Sequence, residues 1–140
     1  MYKKVIKYTD YNGVEREEPF YFNLNKVELV KWEGSTVGGM RAMYDRIIAA
    51  QDKESLISLF ETIIQRAYGE KSADGKHFMK SPEILAKFTS TEAYCNLFME
   101  LASNDEAASA FMEGIMPADL LEAARKEAKS GDIPATTSEV

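Results

Sequence analysis

Three groups of side chains in this sequence have the types from which active sites are built. Glu15, Glu17 and Glu18 place three carboxylates in one short stretch. Acid–base catalysis needs two carboxyls converging in a cleft with their pKa values pushed apart. These alternate along a hairpin beside Arg16, with Lys3, Lys4 and Lys7 nearby, which is the pattern of solvated cross-strand ion pairs. Ser72, Asp74 and His77 are the types of a nucleophilic triad. A triad needs a base oriented by a third group, with the nucleophile in reach, and one glycine-containing loop does not supply that. Cys95 is the single cysteine and adjoins the apolar stripe of a helix. No cationic neighbour is apparent to lower its pKa, so it reads as a helix-packed, inert thiol. With His77 the single histidine, there is no internal disulfide, thiolate cluster or imidazole zinc site. Gly34, Gly38 and Gly39 lack the strand–helix spacing and the lysine of phosphate-binding loops, and read as a hinge or cap between helices. The expectation is a protein that binds other proteins: no enzyme, no metal and no cofactor.

Composition sets the same limits. The chain has 140 residues, 45% apolar and 29% charged, enough for one domain with one core. The apolar runs are far short of a membrane span, and the N-terminus lacks the apolar stretch of a secretory signal. A cytoplasmic location follows as the expectation. The net charge of −6 is spread along the chain without a basic stripe, so neither nucleic acid nor membrane is expected as a partner.

The elements that would position these residues begin with two strands, 2–9 and 14–22, around Asp10-Tyr11-Asn12-Gly13. Parity selects the loop. A two-residue Asn12-Gly13 loop would place Ile6 and Tyr8 on the opposite face from Phe20 and Phe22. A three-residue loop, with Gly13 left-handed after a type I turn begun by Asp10, gathers Tyr2, Ile6, Tyr8, Val14, Phe20 and Phe22 on one face. Pro19 cannot donate to a ladder and marks an edge. Asn25 and Glu28 form a capping box for a helix of about 26–33, ended by Gly34. Helical spacing continues over about 39–50. Asp52 caps a third helix of about 53–68, striped by Leu56, Leu59, Phe60, Ile63, Ile64 and Ala67 and stopped by Gly69. Residues 69–80 read as an exposed loop or small hairpin. Ser81-Pro82 opens a helix of about 82–88. Thr89 with Glu92 suggests a capping box for about 90–102. Asn104-Asp105-Glu106 opens the next helix, which Pro117 ends, and about 118–129 is the last. The fold class is therefore α+β, mainly α, in a single domain over 1–129. An N-terminal β-hairpin at 2–22 precedes a bundle of about six or seven short helices over 25–129. The composition of 130–140 is that of a disordered tail.

The seven methionines suit a surface that accepts irregular helices, although ordinary core filling explains most of them. Met99 lies off its helix's main stripe and is expected to be exposed. Trp32, the single tryptophan, is expected in the core.

The stretch Tyr8-Thr9-Asp10-Tyr11-Asn12-Gly13-Val14-Glu15-Arg16, then Phe20-Tyr21-Phe22-Asn23-Leu24, resembles the start of short tail assembly chaperones of long-tailed phages (siphophages) infecting Gram-positive bacteria. Tyr68 to Lys76, Thr91-Glu92-Ala93-Tyr94 and Leu97-Phe98-Met99-Glu100-Leu101 are similar too, and the resemblance covers about residues 5–117. It implies a non-enzymatic role: coating the tape measure protein and keeping it soluble while the tail tube protein polymerises round it. It also implies residence in the host bacterial cytoplasm and absence from the mature virion. A longer frameshifted form, where made, would recruit the tail tube protein; this chain is similar to the shorter form. A homo-oligomer on the client would gain from avidity. The helices of about 39–68 and 90–116 are expected to bind the partner through Met40, Met43, Tyr44, Phe60, Tyr94, Phe98, Met99, Phe111 and Met112, as a helix-in-groove complex. The alternatives are a structural tail or head–tail completion protein kept in the virion, and a regulator that binds a host protein.

Overall fold

The structure, a computed structural model, describes residues 1–35, 45–46 and 49–117. Two strands, β1 (Tyr2–Thr9) and β2 (Glu15–Phe22), lead into helix α1 (Lys26–Ser35). Helix α2 (Lys53–Ala67) passes directly into β3 (Tyr68–Lys71), which turns back as β4 (Phe78–Met79). Helices α3 (Pro82–Thr89), α4 (Glu92–Ser103) and α5 (Asp105–Ile115) follow.

The hairpin has the three-residue loop that parity requires. Tyr2 stands opposite Phe22, Lys4 opposite Phe20 and Tyr8 opposite Arg16. The Gly13 N–H donates to the Asp10 carbonyl and the Asp10 N–H to the Val14 carbonyl, both at 2.9 Å, and Gly13 has φ +81°. Tyr2, Ile6, Tyr8, Phe20 and Phe22 thus share the inner face. Val14 shares their parity but stays 50% exposed, because nothing among the described residues covers the hairpin's tip. An L side chain is strained at Gly13's φ, so Gly13→Ala is expected to lower stability by about 1 kcal/mol in thermal unfolding.

The hairpin is half of a sheet rather than a separate element. The order is β1-β2-β3-β4, antiparallel throughout, and β3 joins β2 at Tyr21–Gly69 and Phe22–Tyr68. The next position of that ladder is Pro19, which has no N–H to give, so β2 is an edge from there to its start. Gly69 does not stop α2; the helix ends at Ala67 and Tyr68 is already extended. Gly69 is needed for a different reason: a methyl there would lie 2.8 Å from Phe78 Cε2 and 2.9 Å from the Met79 carbonyl oxygen.

The described residues hold five helices, not the six or seven expected. The expected helix at about 39–50 is seen only at Asp45–Arg46 and Ala49–Ala50, which are helical. The expected last helix and tail, 118–140, lie outside the described residues. Four caps form as expected. Asn25 and Glu28 bond each other's backbone N–H reciprocally at 2.9 Å. Asp52, Ser81 and Asn104 accept from the backbone N–H three residues on. Helix α1 continues past Gly34 to Ser35. Helix α4 is capped by Thr91 rather than Thr89, because α3 runs through Thr89 and its carbonyls are still engaged there.

The inner face of the sheet and the helices enclose an aromatic core. Tyr68 stacks on Phe88 at 4.1 Å, and Phe22 sits within 6 Å of Tyr68, Phe88 and Phe111. Ile63, Ile64, Ala67, Leu97 and Ile115 close round them, fully buried. Trp32 is buried as expected, with the Arg66 guanidinium 4.2 Å over its ring. Such ring pairs add about 1 kcal/mol each beyond burial and fix the approach of hairpin to helices.

Candidate interaction surfaces

Several of the groups that could carry chemistry, Ser72, Asp74, Glu17 and Glu18, have structural partners. Asp74 accepts from the Ser72 hydroxyl at 2.6 Å and from the Lys76 N–H, and Ser72 Oγ accepts from the His77 backbone N–H at 3.0 Å. These bonds close the turn between β3 and β4. They hold the Asp74 carboxyl below its usual pKa, with the Ser72 hydroxyl the main cause. They use His77 through its backbone, which is not how a base is presented to a nucleophile. On the hairpin, Lys7 faces Glu17 directly across the strands at 3.7 Å. Arg16 reaches Asp10 at 2.6 Å and Glu18 at 3.5 Å, and this guanidinium chiefly lowers Asp10's pKa. The Tyr8 hydroxyl donates to Glu18 at 2.5 Å, which raises the phenol's pKa. The three glutamates therefore diverge: two lie on the outer face, and Glu18 on the inner. Among the described residues, no group of three or more His, Cys, Asp or Glu is placed to hold a metal ion. Nor is any helix long and apolar enough to cross a membrane.

The side chains proposed from sequence to touch a partner divide by burial. Phe60 and Phe111 are buried in this conformation, Phe111 completely. Tyr94, Phe98 and Met112 are half-buried. Tyr94 packs edge-on to Phe88 and accepts from Gln65 Nε2 at 3.2 Å, which ties α4 to α2. Burial is the chief cause of its raised pKa. Phe98 lies one turn on, 6.3 Å from the Tyr94 ring, and Met112 packs against the core. Met99 is 62% exposed, as its position off the stripe requires. Met40, Met43 and Tyr44 lie outside the described residues. Cys95 is exposed, contrary to the packed thiol expected, because α4 turns residues 95, 96 and 99 away from the Ala93–Leu97–Leu101 face.

Sequence reasoning missed two features. Val27 and Val30 are both exposed on the outer side of α1, whose four apolar residues, Val27, Leu29, Val30 and Trp32, the sequence does not divide between faces. Apolar residues on both sides blur the helical period, so no single face stood out. Lys80 was missed entirely. Its ammonium donates to the Asn23 carbonyl, the Arg66 carbonyl and Glu28 Oε2, each at 2.7 Å. No local spacing connects those four residues.

The chain thus presents a stapled domain with separate exposed apolar side chains on α1, α2 and α4 (Val27, Val30, Ile57 and Met99). Comparison with known proteins agrees with a binding role. A family model described as phage tail assembly chaperone matches residues 1–139. No curated protein and no solved structure matches the chain. The match spans nearly the whole sequence, and the chain therefore belongs to the phage tail assembly chaperone family.

Proposed function

We propose that this chaperone binds the tape measure protein of a long-tailed phage of Gram-positive bacteria and keeps it in solution while the tail tube assembles round it. Family membership over residues 1–139 carries the reading. The distribution of side chains supports it. A long helical client has apolar stripes that associate unless covered, and exposed valines, Ile57 and Met99, with half-buried Tyr94 and Phe98, offer apolar contacts on several helices. Methionine adapts to irregular partners. The net charge of −6 keeps the coated client soluble. The protein acts as the short form, without catalysis, in the host cytoplasm, and leaves before the virion matures.

Coexpression with the large helical tail protein of the same phage tests this. The client is expected to move from the insoluble to the soluble fraction and to copurify. Met99→Glu, which places a charge on an exposed site and leaves the core intact, is expected to reduce the copurified client several-fold. A client equally insoluble with and without the chaperone would refute the reading. Finding the chaperone in purified mature particles would favour a retained structural protein instead.

A further inference from the structure

The sheet begins at an edge whose backbone is open. The Asp10 N–H bonds the Val14 carbonyl, so Asp10–Val14 is a hydrogen-bonded pair. Alternation along an antiparallel ladder makes Tyr8–Arg16, Ile6–Glu18 and Lys4–Phe20 the next such pairs. The even-numbered residues of β1 therefore bond β2, and the N–H and C=O groups of Lys3, Val5, Lys7 and Thr9 point away from it. Asn96 bears out the direction, its Nδ2 donating to the Lys7 carbonyl at 3.0 Å. Among the described residues, that is the one hydrogen bond these outward groups make. Helix α4 runs beside the edge. Asn96 meets Lys7, and a turn further on Glu100 meets Lys4 Nζ at 2.8 Å, so helix and strand run in opposite directions. Met99, 62% exposed, lies a turn from Asn96 on the same side of α4.

An unpaired strand edge can take up an extended peptide as an added strand. Side chains decide which peptide. Those of Lys3, Val5 and Lys7 stand on the outer face of the sheet, and Val5, between the two lysines, is 49% exposed. Lys7 faces Glu17 at 3.7 Å, but both side chains are well exposed and such a pair is weak. A strand added to β1 sets one residue opposite each of these three, on the same face. Carboxylates opposite Lys3 and Lys7 attract, lysines there repel, and an apolar residue opposite Val5 covers it. Lysines on an open edge guard it against pairing. A guard of one sign still admits a strand of the other. We propose that the β1 edge takes, as an added strand, an extended segment of another protein in which two acidic residues flank an apolar one at alternate positions. The backbone of that segment exchanges hydrogen bonds with Lys3 and Val5. Its intervening residues turn toward α4, where Asn96 and Met99 lie. The segment is extended, whereas the client proposed above is helical, so this inference is independent of that reading.

The probe is a peptide blocked at both ends, Glu-Thr-Val-Thr-Glu, titrated into the full chain at low salt and followed by backbone amide NMR. The amide signals of Lys3, Val5 and Lys7 are expected to shift, and the Lys3 and Val5 amides to exchange more slowly with solvent. The charge-reversed peptide Lys-Thr-Val-Thr-Lys is expected to bind about ten-fold more weakly or worse, and Lys3→Glu/Lys7→Glu to invert that preference. Val5→Pro removes the outward N–H and leaves the ladder to β2 untouched, because Val5 stands opposite Pro19 in a pair without hydrogen bonds. It is expected to abolish binding of the acidic peptide; should it fail to fold, the charge-reversed variant decides alone. No shift at these amides, equal binding of the two peptides, or a preference unchanged in the charge-reversed variant would each overturn the proposal. So would Lys3 and Val5 amides that exchange slowly without peptide. Protection that persists on dilution would mean that another segment of this chain covers the edge, and protection lost on dilution that a second copy does.

Discussion

Lys80→Met is expected to lower stability by about 2–4 kcal/mol, measured as a fall in the urea midpoint at unchanged slope. The substitution keeps the length of the aliphatic stem and removes only the ammonium. That ammonium has three protons and three acceptors, each at 2.7 Å: the carbonyls of Asn23 and Arg66, and Glu28 Oε2. The acceptors belong to three places that must meet for the fold to close. Asn23 follows β2, Arg66 is in the last turn of α2, and Glu28 is the reciprocal half of the α1 capping box. A cation at the C-terminal turn of α2 also suits that helix's dipole. An ordinary surface ion pair would be worth less than about 1 kcal/mol. The larger figure is expected because the Lys80 side chain is only 23% exposed and two of its partners are backbone carbonyls. Glu28→Gln loses the charge and keeps one acceptor oxygen where the Asn25 N–H and Lys80 now take one each (Oε1 and Oε2), and is expected to cost about 1 kcal/mol. Lys80→Arg is expected to fail as a rescue, because a planar guanidinium cannot aim its donors at three converging oxygens. Equal small losses for Lys80→Met and Glu28→Gln would show that the site is only a surface ion pair.

How much of this was legible in the sequence follows from range. The hairpin loop was legible because two faces of one strand differ and a slip by one residue would invert them. The caps at Asn25, Asp52, Ser81 and Asn104 were legible because donor and acceptor lie three residues apart. The joining of β3 to β2 was not, since Tyr21 and Gly69 are remote in sequence and β3 is too short for a strand pattern. Gly69 looked like a helix stop for the same reason: a glycine after an apolar stripe has that appearance, whereas its real constraint is the ring of Phe78. The candidate contact residues were the least legible. A stripe that packs the core and one that awaits a partner have the same period. Phe60 and Phe111 accordingly proved buried, while Met99, chosen for lying off the stripe, proved exposed. The Lys80 contacts join four stretches of chain, and no local pattern announces them.

Gly114→Ala reverses a familiar rule. Alanine in place of glycine within a helix ordinarily stabilises by about 1 kcal/mol, because it reduces the freedom of the unfolded chain. Gly114 lies in the last turn of α5, yet a methyl on it would run into Tyr2 Cδ1, with Tyr2 Cγ at 2.9 Å and Cβ at 3.0 Å. The Tyr2 ring cannot simply swing away. It packs edge-on to Phe111 at 5.5 Å and 82°, and its backbone pairs with Phe22 at the start of the sheet. Nor can α5 easily retreat, because the Leu24 N–H bonds the Ile115 carbonyl at 2.8 Å. The expected result is a net loss of about 2 kcal/mol, the overpacking cost exceeding the helix gain. The test is a double-mutant cycle by denaturant unfolding. Tyr2→Ala alone should destabilise by removing the ring from Phe111. In that background Gly114→Ala should become neutral or stabilising, giving a coupling of about 2 kcal/mol. Additive losses would place the cost elsewhere in α5. A stabilising Gly114→Ala in the parent would show that the first strand yields to the helix, and that the contact between Tyr2 and α5 does not hold the hairpin to the bundle.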